Sequence, residues 1–101
     1  MKKKIVILGS TGSIGKYTLD IIRKDKKNFQ IILLTANKNY KKLIKQAKEF
    51  NVKNILIYND KYYEFVKQNL KNKKINIFSR KIKLSKILKK KLIILCVLYQ
   101  V

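Results

Sequence analysis

All three glycines of this 101-residue chain fall within seven positions, Gly9-Ser10-Thr11-Gly12-Ser13-Ile14-Gly15, directly after the apolar run Ile5-Val6-Ile7-Leu8. A strand that empties into a glycine-rich turn and then a helix is a recipe for holding a pyrophosphate. Glycine lets the backbone turn tightly and approach the ligand, while free N–H groups at the helix start face the anion. Thr11, Gly12, Ser13 and Ile14 form the mouth of the turn. Their amides, helped by the hydroxyls of Ser10, Thr11 and Ser13, are expected to satisfy phosphate oxygens. The spacing is G-x-x-G-x-x-G rather than the commoner G-x-G-x-x-G, but the strand before and the helix after supply the required context. A tight turn without a ligand, capped by a serine, needs one glycine and not three. No Gly-Lys-Ser/Thr closes the motif, which excludes a P-loop.

A second position decides which dinucleotide such a turn would hold. At the end of the second strand, NAD sites place an acid against the ribose 2′-OH, whereas NADP sites replace it with a cation and polar donors for the 2′-phosphate. Here the segment is Ala36-Asn37-Lys38-Asn39, and no carboxylate occurs between Asp25 and Glu49. The missing acid favours NADPH, and Lys38 agrees with it, though one lysine counts for little in so lysine-rich a chain. Other chemistry is poorly supplied. The five acids, Asp20, Asp25, Glu49, Asp60 and Glu64, are scattered along the chain and there is no histidine. Each is read as a solvated or capping carboxylate. The single cysteine, Cys96, sits in an apolar run without a partner, which excludes a disulfide or zinc framework and points to a reducing compartment.

The elements that must position these residues follow from hydrophobic periodicity. Lys4–Leu8 reads as a buried first strand. Ile14, Thr18, Ile21 and Ile22 recur at helical spacing, which predicts an amphipathic helix from Ser13 to about Lys26. Phe29–Leu34 makes a second strand. Tyr40, Leu43, Ile44, Ala47 and Phe50 mark a second helix, with Asn39 as its N-cap. Val52–Tyr58 is a third strand, and Asp60 is expected to cap a third helix carrying Tyr62, Phe65, Val66 and Leu70. Ile75–Phe78 is a short fourth strand, Ile82–Lys89 a weak helix, and Leu92–Leu98 a last apolar strand. Strands alternating with helices give an α/β fold, a Rossmann-type parallel sheet with helices on both faces and right-handed crossovers. Residues 1–101 form at most one domain, with no repeat or linker.

The net charge is +21, and all but two of the 26 basic residues are lysine. Such charge attracts phosphates of any kind. The lysines are spread along the whole chain, however, and Asn, Ile, Tyr and Phe are abundant while Pro and Trp are absent. That composition matches drift toward A/T-rich codons. A basic nucleic-acid-binding module is the competing reading; it predicts salt-sensitive binding that ignores NADPH, and no recognised nucleic-acid motif accompanies it. No apolar run exceeds the eight residues Leu92–Tyr99, too few for a membrane helix. Met1-Lys2-Lys3-Lys4 is followed by too short an apolar stretch for a signal peptide, so the mature protein is expected to begin here.

Lys4 through Gly15, followed by Thr18-Leu19-Asp20, resembles the N-terminus of the 1-deoxy-D-xylulose 5-phosphate reductoisomerase family. Ala36-Asn37-Lys38-Asn39 and Gln46-Ala47-Lys48-Glu49-Phe50 continue the likeness, which is close to about Tyr58 and looser to about Phe78. The run L-G-S-T-G-S-I-G is much narrower than a generic Rossmann turn and argues against another NADP-dependent oxidoreductase. The resemblance implies conversion of 1-deoxy-D-xylulose 5-phosphate to 2-C-methyl-D-erythritol 4-phosphate in non-mevalonate isoprenoid synthesis. It further implies NADPH, a divalent metal (Mg or Mn), a phosphorylated sugar substrate and a homodimer. It places NADPH against Thr11, Gly12, Ser13, Ile14, Asn37, Lys38 and Asn39. Position 37 is often glycine in the family, and Asn tolerates similar backbone angles. Family members are several times longer, and their metal carboxylates, closing loop and substrate-phosphate site come later than this sequence. The chain is therefore expected to be an incomplete, catalytically inactive cofactor-binding domain. A cytoplasmic location is expected, with a plastid-type one open.

Overall fold

Residues 3–71, 74–79 and 93–95 are described by a computed structural model, the last three by backbone alone. Ile5, Val6 and Ile7 are all fully buried in strand β1 (Lys3–Ile7), with no polar alternation. A strand of that kind must be covered on both faces, as in a parallel sheet. Four more strands join it: β2 (Phe29–Ala36), β3 (Asn54–Ile57), β4 (Asn76–Ser79) and β5 (Ile93–Leu95). All pairings are parallel, and the order across the sheet is β4-β3-β2-β1-β5. The chain walks outward from β1 to β4, then places β5 on the opposite side of β1. The reversal makes β1 the topological switch strand, and in such sheets ligands bind beyond the strands' carboxyl ends at that point.

Helices α1 (Ser13–Arg23), α2 (Tyr40–Glu49) and α3 (Tyr63–Asn69) fill the connections. Their inward residues, Leu19 and Ile22, Leu43, Ile44 and Ala47, Val66 and Leu70, share one core with Ile5, Ile7, Ile31, Leu34, Ala36, Ile55 and Ile57 of the sheet. Val6, Leu33 and Leu56 form a second cluster with Leu8, Ile32 and Phe78. The assignment of β2 residues to these clusters reflects an irregularity in register, where Ile5 pairs Ile31 but Val6 pairs Leu33. The extra residue, Ile32, keeps company with Leu33, and Leu34 and Ala36 return to the helix-covered core. The weak helix expected over Ile82–Lys89, Cys96 and most of the last strand lie outside the described residues.

The rotation of α1 differs from the expected one. Periodicity pointed to Ile14, Thr18, Ile21 and Ile22, yet the buried residues are Gly15, Leu19 and Ile22, while Ile14 and Ile21 are exposed. Gly15 fixes this. A Cβ there would lie 2.4 Å from the Gly9 carbonyl oxygen and 2.6 Å from Ser10 Cα. The helix therefore turns its bare glycine to the turn, and Leu19 and Ile22 follow at one and two turns' distance. Helix α1 also ends earlier than about Lys26, giving way to a 3-10 turn at Lys26–Asn28.

Asn39 caps α2 as expected, its side chain accepting from the Lys42 amide at 3.3 Å. The other end of α2 closes with Asn51 in the left-handed region (φ 55°) and the Val52 amide donating to the Ala47 carbonyl at 2.9 Å. This is a Schellman exit, with buried Val52 beyond it and strand β3 starting only at Asn54. Asp60 does not cap α3. A 3-10 turn, Asp60–Tyr62, precedes the helix, and Asn59 caps that turn by accepting from the Lys61 amide at 3.0 Å. Among the described residues no helix is long and apolar enough to cross a membrane.

Candidate functional site

The turn after β1 is fixed from several sides. Gly9 adopts φ 71°, a conformation that other L-residues enter only at a cost. Its amide donates to Thr35 Oγ1 at 2.8 Å, and the next amide, of Ser10, donates to the Thr35 carbonyl at 2.8 Å. Ser10 is fully buried, and its hydroxyl donates to Gln46 Oε1 at 2.7 Å, while Gln46 Nε2 donates back to the Ser10 carbonyl at 3.1 Å. The Ser10 hydroxyl, expected to face a phosphate, is thus spent inside the protein. A buried hydroxyl needs a partner, and Gln46 provides one that a solvent-facing orientation would forfeit.

Gly12 stands at the N-cap of α1 in extended conformation. Its amide, also expected to face the anion, instead donates to the Gly9 carbonyl at 3.1 Å and closes the turn. The amides of Thr11, Ser13, Ile14 and Gly15 donate to no acceptor among the described residues; the first intrahelical bond runs from Lys16 to the Gly12 carbonyl at 2.9 Å. Such orphan donors, at the positive end of an eleven-residue helix, make an anion site wherever the helix start is accessible. Ser13 and Ile14 are exposed, and Thr11 and Gly12 are partly so.

One strand away, Asn37, Lys38 and Asn39 leave the carboxyl end of β2, all exposed. Their backbone is tied down by the Asn59 amide donating to the Asn37 carbonyl at 3.0 Å and the Tyr40 amide donating to the Lys38 carbonyl at 2.7 Å. The only non-glycine left-handed residue among those described is Asn51, so Asn37 does not imitate a glycine conformation. The side-chain oxygen of Asn39 is engaged in its cap. Thr35, next to last in β2, braces the first turn two residues before the second segment begins.

Between α1 and α2 runs a groove of about 540 Å³ whose walls include Lys16, Lys42, Lys45 and Gln46. The Lys16 ammonium beside Lys42, with some desolvation and the charge of Lys45, holds the Lys42 pKa below the ordinary lysine value. At the far end of the same groove Arg23 binds both Asp20 and Glu49. Among the described residues no group of three or more His, Cys, Asp or Glu side chains is placed to hold a metal ion. The described residues therefore do not fit a metal centre, and none is assigned.

A family model described as 1-deoxy-D-xylulose 5-phosphate reductoisomerase matches residues 5–97. The chain belongs to the 1-deoxy-D-xylulose 5-phosphate reductoisomerase family. A relative of that name from Pelagibacter ubique (strain HTCC1062) is 54% identical over 85 residues, which is 84% of this chain and 22% of the relative. Among solved structures, the reductoisomerase from Zymomonas mobilis in complex with NADPH superposes with a TM-score of 0.75 at 35% identity, covering 78% of this chain and 21% of that one. A DOX-P reductoisomerase in complex with NADPH, fosmidomycin and magnesium gives 0.73 at 32% identity, with 78% and 20% covered. The chain spans about a fifth of the length of these reductoisomerases. The match supports the Rossmann-type reading of the fold as well as the family.

Two residues that brace the turn of this reductoisomerase-family chain escaped the reading of its sequence. Gln46 had a detectable signature, a polar residue three positions after Leu43 and one before Ala47, on the buried stripe of α2. Thr35 gave none, because threonine is unremarked at the end of a β-branched strand.

Proposed function

We propose that this chain is a nucleotide-binding domain that holds NADPH for the reductoisomerase reaction, the reduction and rearrangement of 1-deoxy-D-xylulose 5-phosphate to 2-C-methyl-D-erythritol 4-phosphate. The observation that carries the reading is the set of amides at Thr11, Ser13 and Ile14 that have no acceptor among the described residues, beyond the carboxyl end of the switch strand. In this role they donate to the pyrophosphate, and Gly12 lets the backbone approach it by presenting no side chain. Lys38 offers a cation to the 2′-phosphate, Asn37 and the Asn39 amide group offer donors, and no carboxylate repels it. The NADPH in the Zymomonas structure supports this choice. When bound, NADPH supplies the reducing equivalent.

The residues described here bind and orient; none is assigned to proton transfer or to the rearrangement. The activity, a divalent metal, the phosphorylated sugar and a homodimeric assembly belong to this proposal through the family, as does a cytoplasmic setting. Fluorescence or calorimetric titration of the purified chain tests it. Saturable NADPH binding is expected, tighter than NADH binding, with no turnover of 1-deoxy-D-xylulose 5-phosphate. Absence of NADPH binding would overturn the reading, and equal affinity for NADH would remove the 2′-phosphate assignment.

A further inference from the structure

Gln46 lies on the buried stripe of α2 between Leu43 and Ala47 and is only 7% exposed. A primary amide taken out of water is unfavourable unless donors and acceptors await it. Both come from a single residue 36 positions earlier, since the Ser10 hydroxyl donates to Gln46 Oε1 and the Ser10 carbonyl accepts from Gln46 Nε2. From β2, Thr35 takes the amides of Gly9 and Ser10, one on its hydroxyl and one on its carbonyl. None of these bonds is needed to end β2 or to cap α2, which has its own caps at Asn39 and Asn51. Reversal of the chain is likewise provided without them, by Gly9 in its left-handed conformation and the Gly12 amide on the Gly9 carbonyl. What they add is orientation. Gly9 and Ser10 are held from two neighbouring elements at once, immediately before the amides that face outward.

We propose that Gln46 and Thr35 are positioning residues for the pyrophosphate-binding turn, fixing the direction in which the Thr11, Ser13 and Ile14 amides point. This inference rests on the NADPH reading above. Hydrogen bonds to an anion are strong but directional, so a turn free to rock on Gly9 would lose several of them together. The brace acts through the backbone, and it therefore affects pyrophosphate contacts while sparing contacts made after β2.

The test compares two ligands on the full 101-residue chain. NADPH carries the pyrophosphate; adenosine 2′-monophosphate carries the adenosine and 2′-phosphate without it. Gln46→Leu and Thr35→Val are expected to weaken NADPH by about tenfold or more, and adenosine 2′-monophosphate by less than about twofold, as fits loss of oriented anion contacts. Thr35→Ser keeps the hydroxyl and should stay within about threefold of the wild type for both ligands, a rescue that a merely structural role of the β-branched side chain would not give. A parallel loss of both ligands, or unchanged NADPH affinity in Gln46→Leu and Thr35→Val, overturns the positioning role. Should Gln46→Leu fail to show a cooperative melt, the Thr35→Val and Thr35→Ser pair carries the same comparison. A wild type that binds no NADPH overturns the cofactor reading and this inference together, whereas a wild type that binds it and variants that bind it equally overturn the inference alone.

Discussion

The turns after β1 and after β2 leave the same edge of the sheet on adjacent strands, and they are held in different ways. In the first, Gly9 is left-handed, Ser10 is buried and committed to Gln46, and Gly15 is pressed against the Gly9 carbonyl. Every one of these features constrains residue type, and the groups left facing outward are backbone amides. In the second, Asn37, Lys38 and Asn39 are exposed, their backbone is tied by two hydrogen bonds from amides, and the Lys38 side chain has no hydrogen-bond partner among the described residues. The chemistry of the first turn is thus fixed by sterics and belongs to the main chain. That of the second is carried by side chains, of which the fold constrains only Asn39, through its cap on α2. A site divided in this way binds pyrophosphate through its rigid half and distinguishes one dinucleotide from another through its adaptable half.

The sharpest break of that contrast comes from Gly15→Ala. The added Cβ would meet only backbone, the Gly9 oxygen at 2.4 Å and the Ser10 Cα and carbonyl carbon at 2.6 and 2.7 Å, so no flexible side chain can yield. Helix α1 must shift from the turn, and a loss of about 3 kcal/mol in denaturant unfolding is expected, with NADPH binding lost as well. Gly9→Ala, which forces an L-residue to φ 71°, should cost about 1–2 kcal/mol. An Ala at either position with wild-type stability would show that the first turn is as permissive as the second.

Lys38→Glu addresses the other half. The exposed side chain can change sign without disturbing the fold, so the unfolding free energy should move by less than about 0.5 kcal/mol. NADPH affinity should fall by about tenfold while NADH affinity is unchanged or improved, because the carboxylate repels a 2′-phosphate and suits a 2′-OH. A Lys38→Glu variant that keeps its preference for NADPH would move the selectivity to another part of the site. Asn39→Ala tests the link between this segment and α2. Loss of the cap on the Lys42 amide should cost about 1 kcal/mol of stability, measured by urea unfolding.

Much of this contrast was legible in the residues. Apolar runs marked β1, β2, β3 and β4 to within two residues, most cleanly in β1, whose burial on both faces leaves no polar alternation. Three glycines in seven positions announced the first turn, and Asn39 announced the cap of α2. The sequence does not report orientation, and the misses at the site are of that kind. Ser10 and Gly12 have the right chemistry for a phosphate, but tertiary partners, Gln46 for the hydroxyl and the Gly9 carbonyl for the amide, turn them inward. Ile14 and Ile21 have the right hydrophobicity for the core, but Gly15 must face the turn, and one close backbone contact outranks two aliphatic side chains in setting the roll of α1. Asn59 replaced Asp60 as a cap because a 3-10 turn precedes α3, a difference of one residue that local composition does not encode. The extra residue at Ile32 in β2 is invisible in a run where every residue is apolar.

The far ends of α1 and α2 supply a control for the whole comparison, since they join the same two helices without touching either turn. Arg23, over the ring of Phe50 at 5.2 Å, binds Glu49 of α2 through two nitrogens and Asp20 of its own helix through a third. The hydrogen bond from Arg23, with its charge and that of Lys26, holds the Glu49 pKa below the ordinary glutamate value in spite of some desolvation. A carboxylate depressed in the folded state contributes stability that is fully present above its unfolded pKa of about 4.3 and is lost as pH falls through the folded value. Both partners are more than a third exposed, so screening reduces the pair to about 0.5 kcal/mol at neutral pH. Glu49→Gln should therefore lower stability by about that amount at pH 7, and the difference should shrink as pH falls below about 4.3 and through the depressed folded-state value, where both chains come to carry an uncharged group at this position. NADPH affinity should be unaffected at pH 7. If loosening this end also weakened NADPH, the two helices would be transmitting strain to the turn along their length, and the rigidity of the Gly9–Gly15 segment would no longer be a local property of Gly15, Thr35 and Gln46.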